Sequence, residues 1–263
     1  MSEPSSRWRG RRVLVTGCTG FLGGAVVEEL LARGSQVIGL VRDRGSAAVL
    51  ARHQLAGRVR IVHGRCEDLF RIHSALAIHE AHAVFHLAAC EPLDTDGGTA
   101  TVLEAIRRFD PRIPMVVARR PDALPLADSA APLGEARFGE LFGPGDPCLD
   151  RFVNNPTVDP PRDFVHVRDA ARACLLMAEA TAGKPIPHVH SATFQTGWVM
   201  TRRAMAAAMR EPTPTNAFAA CPENPYGWSP ALNFAEAIAD TVAWRRASVA
   251  FPGSPEAPRR RAA

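Results

Sequence analysis

The sequence predicts an α/β fold built on a doubly wound parallel sheet, on three observations. The first is the stretch from residue 13 to residue 24. A β-branched run, Val13-Leu14-Val15, ends at Thr16, Gly17, Gly20 and Gly23 follow at G-x-x-G-x-x-G spacing, and Phe21, Leu22, Ala25, Val26, Leu30 and Leu31 then recur at helical spacing. The second is the alternation of short apolar runs with helical patterns as far as residue 118, the signature of successive right-handed βαβ units. The third is size: 263 residues suit one large α/β domain, or one domain with a small appendage, with room for a real core.

The elements follow in order. Residues 1–10 read as a disordered tail, 12–16 as the first strand, and 20–33 as a helix closing at Gly34. Val37–Val41 is an apolar strand, Arg42-Asp43-Arg44-Gly45 a polar loop, and 46–56 a helix. Val59–Val62 is a third strand, followed by a helix over 68–80. Ala83–Ala88 is a fourth strand, 97–109 a helix, and Ile113–Ala118 a fifth strand. Residues 119–135 then carry three prolines and no sustained helical pattern. A sixth strand is expected over 136–142, loop over 147–163, and a short strand at Phe164–Val167. A helix over 168–181, an edge strand at His188–Ser191, and helices over 197–210 and 231–247 complete the pattern. The expected organisation is a Rossmann-like dinucleotide-binding core over 11–146, a reduced substrate-type region over 147–250, and disordered tails at 1–10 and 251–263.

Strand, glycine turn and helix form the context in which such glycines hold a dinucleotide. Gly17 permits the tight turn, Gly20 lets backbone approach a pyrophosphate, and Gly23 lets helix pack on strand. The helix N-terminus offers free N–H groups and a positive dipole end to the phosphates.

Bulk composition narrows the class. No apolar run reaches membrane-spanning length and the N-terminus has no signal-peptide pattern, so a cytoplasmic protein without membrane attachment is expected. Six cysteines (18, 66, 90, 148, 174, 221) form no CxxC pair, which argues against a disulfide framework and a structural zinc, and the histidines show no metal-ligand spacing. The net charge of +4 is modest. Its concentrations at Arg7, Arg9, Arg11 and Arg12 and at Arg259–Arg261 read as solvated ends, and nucleic acid is not the expected partner. Lys184 is the only lysine and Tyr226 the only tyrosine.

Six stretches together resemble the extended short-chain dehydrogenase/reductase family, in its nucleotide-sugar epimerase/dehydratase branch. They are Thr16–Gly23 (TGCTGFLG), Val84–Ala89 (VFHLAA), Val102–Ala105 (VLEA), Leu141–Asp146 (LFGPGD), Arg162–Asp169 (RDFVHVRD) and Tyr226–Arg245. The resemblance implies an NAD(P) cofactor held by Gly17, Thr19, Gly20, Phe21, Leu22, Gly23, Leu87, Ala88 and Ala89. It implies a nucleotide sugar or related small molecule as ligand, with Arg162 facing its diphosphate. At the end of strand two, where NAD-preferring members carry an acid, this chain reads Val41-Arg42-Asp43-Arg44. Arg42 and Arg44 suit a 2′-phosphate through charge-assisted hydrogen bonds, so NADP is favoured and NAD remains possible. After strand three the family's Gly-Asp-Leu is replaced by Gly64-Arg65-Cys66, with Asp68 nearby.

The family's chemistry uses a Tyr-x-x-x-Lys pair on a helix, one turn apart, with a Ser or Thr after strand five. Here Tyr226 falls in the C-terminal Gly-Trp-x-Pro segment, Lys184 lies 42 positions earlier in a Gly-Lys-Pro loop, and Arg119-Arg120 stand where the family has serines. The short passage from 119 to strand six predicts deletion of the catalytic helix. No family-type catalytic residue remains, and Cys90 and Glu91 are the candidates for recruited chemistry, with His86 read as a packed core histidine. Three functions stay open: a binding or partner subunit in sugar or natural-product metabolism, an atypical NADP-dependent tailoring enzyme with recruited residues, and a structural or interaction module whose cofactor site is vestigial. Loss of that helix also predicts that the apolar face of helix 97–109 (Val102, Leu103, Ile106, Phe109) lacks cover and meets a homodimer or hetero-partner.

Overall fold

A computed structural model describes residues 6–42, 55, 57–88, 97–123, 131–147, 149–154, 160–184, 188–210 and 221–250. The expected helix over 46–56, apart from Leu55, and the tails at 1–5 and 251–263 lie outside the described residues.

The main sheet has seven strands: β1 (Arg12–Thr16), β2 (Gln36–Val41), β3 (Val59–His63), β4 (Ala83–His86), β5 (Met115–Arg119), β6 (Pro132–Phe138) and β9 (His188–Phe194). Their order is β3-β2-β1-β4-β5-β6-β9, and every pair from β3 through β6 is parallel. Strand order reverses between β1 and β4, which makes their carboxyl ends the ligand-binding edge of such a sheet. Helices α1 (Phe21–Ala32), α2 (Leu69–His79), α3 (Gly97–Phe109) and α5 (Val167–Thr181) carry the connections, and α4 (Leu149–Asn154) is a short helix inside the expected 147–163 loop.

The chain forms two compact units, one of residues up to 137 with 171–193, the other of 138–170 with residues from 194 onward. The chain thus returns to the first unit after 170, where a single division at 146/147 was expected. In the first unit, Leu14, Ile38, Leu76, Val84, Val102, Ile106, Val117 and Leu133 form one continuous apolar core. The second unit is built on a three-stranded sheet, β7 (Glu140–Phe142), β8 (Arg162–His166) and β10 (Val199–Met200), in the order β10-β8-β7. Helices α4, α6 (Arg202–Arg210) and α7 (Phe234–Ala250) pack in series beside it around Phe142, Phe164, Trp198, Met205 and Phe234.

Four expectations are corrected. Residues 6–10 are structured: a 3-10 turn at Ser6–Trp8 buries Trp8, whose indole N–H donates to Glu179 Oε1 at 2.6 Å, while its carbonyl accepts from Ser35 Oγ at 2.9 Å. A large apolar ring with a satisfied donor outweighs the polar composition around it. The sixth strand starts at Pro132, the position in a strand where a missing N–H costs least. It is broken at Gly139, where a Cβ would sit 2.1 Å from the Asp163 carbonyl oxygen, and β7 pairs with β8 instead. The helix expected from 197 begins at Arg202, because Val199–Met200 pairs antiparallel with Arg162–Asp163. Finally, the α3 face is covered within the unit: Val102 and Ile106 are fully buried in the core, and Leu103 and Phe109 pack against it. The argument for a partner on that face therefore falls.

Candidate functional site

The glycine turn is built where β1 meets β4. Thr16 and His86 are register partners at the ends of these strands. Thr16 Oγ1 lies 2.7 Å from His86 Nδ1, and the Leu87 N–H donates to the Thr16 carbonyl at 3.1 Å. His86 has no exposed surface, and burial lowers its pKa to about 4, so the ring is neutral and fixes strand ends rather than shuttling protons.

Gly17 turns with φ +70°, and a Cβ there would meet Ala88 N at 2.6 Å and the Leu87 carbonyl carbon at 2.7 Å. Its carbonyl accepts from Gly20 N–H at 2.9 Å. Gly23 passes so close over that carbonyl that a Cβ would stand 1.9 Å from the oxygen. These contacts leave only glycine acceptable at both positions. Gly20 caps α1 in extended conformation with no side-chain hydrogen bond, and the first turn holds no acidic residue. The leading N–H groups of a twelve-residue helix are thus left for an external acceptor. Thr19 and Phe21 are half-buried beside the turn, Leu22 and Leu87 are buried, and Ala88 is exposed at the end of β4. This cradle fits a dinucleotide pyrophosphate.

Three more residues border it. Cys18 is buried under β2, where a Cβ on Gly39 would meet its Sγ at 2.8 Å. Burial pushes its thiol pKa up to about 12, so it is an inert packing group. Arg42 is exposed immediately beyond β2. Asp68 caps α2, accepting from Arg71 N–H at 2.9 Å, which engages one of the oxygens considered for adenine. Arg44, Ala89, Cys90 and Glu91 lie outside the described residues.

At the carboxyl ends of β5 and β6, Arg119 and Arg137 flank Glu135, which has no exposed surface. Glu135 and Arg137 escaped the sequence reading. Their signal was the i, i+2 spacing of Glu135-Ala136-Arg137, hidden by placing the strand start one residue too late to include the acid. The link from β5 to β6 is the twelve residues 120–131.

In the second unit, Arg162 opens β8 and is half-buried. Its neighbour Asp163 is structural, accepting from Thr196 N–H at 3.1 Å, Thr196 Oγ1 at 3.1 Å and Gly197 N–H at 2.9 Å. His166 is buried against Phe142, 3.4 Å from Asp240 Oδ2, and burial lowers its pKa to about 4. Tyr226 sits in a 3-10 turn with φ +59° and is half exposed. The turn is docked on Asp169, whose Oδ1 accepts from Ala231 N–H at 2.8 Å and whose carbonyl accepts from Trp228 Nε1 at 3.3 Å. Lys184, in the first unit, lies exposed in the turn that ends α5, its N–H on the Thr181 carbonyl. Among the described residues no cluster of His, Cys, Asp or Glu could hold a metal ion, and no helix is long and apolar enough to cross a membrane.

Comparison with known proteins agrees with this geometry. Residues 13–112 match the model of the NAD dependent epimerase/dehydratase family. A Streptomyces dTDP-4-dehydro-6-deoxy-D-allose reductase is 41% identical over 64 residues, 24% of this chain and 19% of that enzyme, so the match spans about a fifth of the relative. The UDP-glucose 4-epimerase of Thermus thermophilus, solved in complex with NAD, superposes with TM-score 0.65 at 21% identity, covering 88% of this chain and 98% of that one. The Bifidobacterium longum UDP-glucose 4-epimerase, in complex with NAD+ and UDP, gives TM-score 0.68 at 16% identity over 90% and 98%. The Bacillus anthracis dTDP-glucose 4,6-dehydratase, in complex with NAD, gives 0.68 at 16% over 90% and 97%. Residues 13–112 are thus similar to the NAD dependent epimerase/dehydratase family, and the chain shares a Rossmann-like fold with solved epimerases and dehydratases.

Proposed function

We propose that the protein binds NADP in the Gly17–Gly23 cradle together with a nucleotide-sugar-like small molecule, without the family's Tyr/Lys catalysis, as a binding or partner subunit in sugar or natural-product metabolism. The observation that carries the reading is the link from β5 to β6. Twelve residues only meet the minimum for a parallel crossover. A long helix bearing tyrosine and lysine does not fit there, and the chain's single tyrosine and single lysine lie elsewhere.

The cofactor, when bound, supplies hydride exchange at its nicotinamide. The protein's own groups then bind and orient. The α1 N–H groups hold the pyrophosphate, the Leu87–Ala88 backbone closes over the turn, and Arg42 offers a fork to a 2′-phosphate. Arg162 serves the diphosphate of the second ligand. The test is calorimetric titration of the purified protein with NADP, NAD and UDP-glucose. NADP binding tighter than NAD supports the reading, and no binding of either cofactor overturns it.

A further inference from the structure

Arg119 closes β5 and is the register partner of Arg137 in β6. Between them Glu135 is fully buried. Arg137 is fully engaged: Nε and Nη2 donate to Glu135 Oε2 at 3.1 and 2.8 Å, and Nη1 donates to the Pro121 carbonyl at 3.0 Å. Arg119 only approaches the other oxygen, with Nη1 3.3 Å from Oε1, and the two atoms make no hydrogen bond. One carboxylate therefore faces two guanidinium groups, and the local charge is +1. Among the described residues Arg119 donates no hydrogen bond, and its side chain is 24% exposed. It stands at the carboxyl end of β5, next in the sheet to β4, whose end closes over the glycine turn. Ligands of open α/β sheets bind along that edge. Arginine stays protonated at any ordinary pH, so this residue cannot serve as a base, and its planar fork matches a pair of anionic oxygens. Outside the sheet Arg120 is already paired with Asp122 at 3.1 Å, which leaves Arg119 as the uncommitted charge of this group.

We infer that Arg119, held in place by Glu135, is a specificity-determining residue for an anionic ligand, one that presents a carboxylate or a phosphate to the carboxyl edge of the sheet. A second negative group would bring the cluster to two positive and two negative charges, and would occupy donors that are otherwise partly desolvated. The inference deepens the proposed binding function, since it takes this edge as the ligand side.

The test uses the full chain labelled with 15N and follows arginine Nε–Hε resonances, the Arg119 signal being the one missing from an Arg119→Lys variant. Three probes differ at one carbon: D-glucuronate, glucose 6-phosphate and glucose. A saturable shift of the Arg119 resonance with glucuronate or with the phosphate, and none with glucose, is the expected result, and the responding probe tells carboxylate from phosphate. Arg119→Met should weaken that binding by about tenfold or more, the scale of one charge-assisted contact, with Arg119→Lys in between. Equal response to all three probes, a shift spread over many arginines, or unchanged anion binding in Arg119→Met overturns the inference. If Arg119→Met fails to fold, the wild-type shifts, assigned through the conservative Arg119→Lys variant, decide. A protein that binds NADP but shows no anion response sinks this inference and leaves the proposed function standing. An anion response without cofactor binding does the reverse.

Discussion

A Cβ atom on Gly23 would stand 1.9 Å from the carbonyl oxygen of Gly17, and that oxygen already accepts the Gly20 N–H at 2.9 Å. The turn can exist only because helix and loop backbones touch. Gly23→Ala should therefore push α1 off β1 at a cost of about 1–3 kcal/mol or more, the scale of overpacking, and should abolish cofactor binding. Gly24, one residue on, has nothing within 4 Å of a Cβ. Gly24→Ala should stabilise by up to about 1 kcal/mol through helix propensity. Denaturant midpoints of the two variants, of opposite sign, check the geometry. A mild Gly23→Ala would contradict it.

Arg42 is exposed just past β2 and no acid follows β2 directly. Arg42→Ala should weaken NADP binding by about 1–3 kcal/mol, one hydrogen bond to a charged group, and leave NAD almost unchanged. Titration of both cofactors against both proteins is the measurement. Equal losses would remove Arg42 from the 2′-phosphate.

Much of this was legible because it is local. Strand, glycine spacing and helix from 12 to 34 obey short-range rules, and the pattern over 97–109 matches α3 to its ends. What escaped depends on partners distant in sequence. Trp8 is ordered by Glu179, α4 forms because Leu149 and Val153 fill the second unit's core, and Glu135 meets Arg119 from the neighbouring strand. No periodicity announces such pairings. The α3 face misled for the same reason: its stripe is the face that packs on the sheet, and sequence alone does not say which neighbour takes it.

Two buried histidines, His86 and His166, have their pKa lowered from 6.5 to about 4 by burial. The unfolded chain takes up their protons near 6.5 and the folded chain does not until about 4, so stability falls as pH drops through that window. Each contributes on the order of 3 kcal/mol across it. Urea unfolding between pH 7 and 4.5 should show the decline, and His86→Gln should flatten it. A curve unchanged in that variant would show that His86 is not among the groups responsible.

Catalysis gives the last prediction. Family-type epimerisation or 4,6-dehydration needs a group of suitable pKa within hydrogen-bond reach of the sugar hydroxyl. Tyr226 sits in the 3-10 turn beside the segment docked on Asp169, adopts φ +59° there and is half exposed, and no lysine shares its turn. Arg119 and Arg120, at the end of β5, offer hydrogen-bond donors and no acceptor, so they do not supply a base. His86 is sealed in the core and neutral. A general acid/base contributes about a hundred- to ten-thousandfold, so its absence should leave at most a trace of the family's rate. Incubation with NAD or NADP and a panel of nucleotide-diphosphate hexoses should therefore yield no multiple turnovers to a keto-sugar or epimer. If turnover occurs and Tyr226→Phe abolishes it, Tyr226 is the acid/base and the reading without Tyr/Lys catalysis is wrong. If turnover occurs, survives Tyr226→Phe and is lost in Cys90→Ala or Glu91→Gln, recruited residues in the segment after β4 perform the chemistry and the protein is the atypical tailoring enzyme.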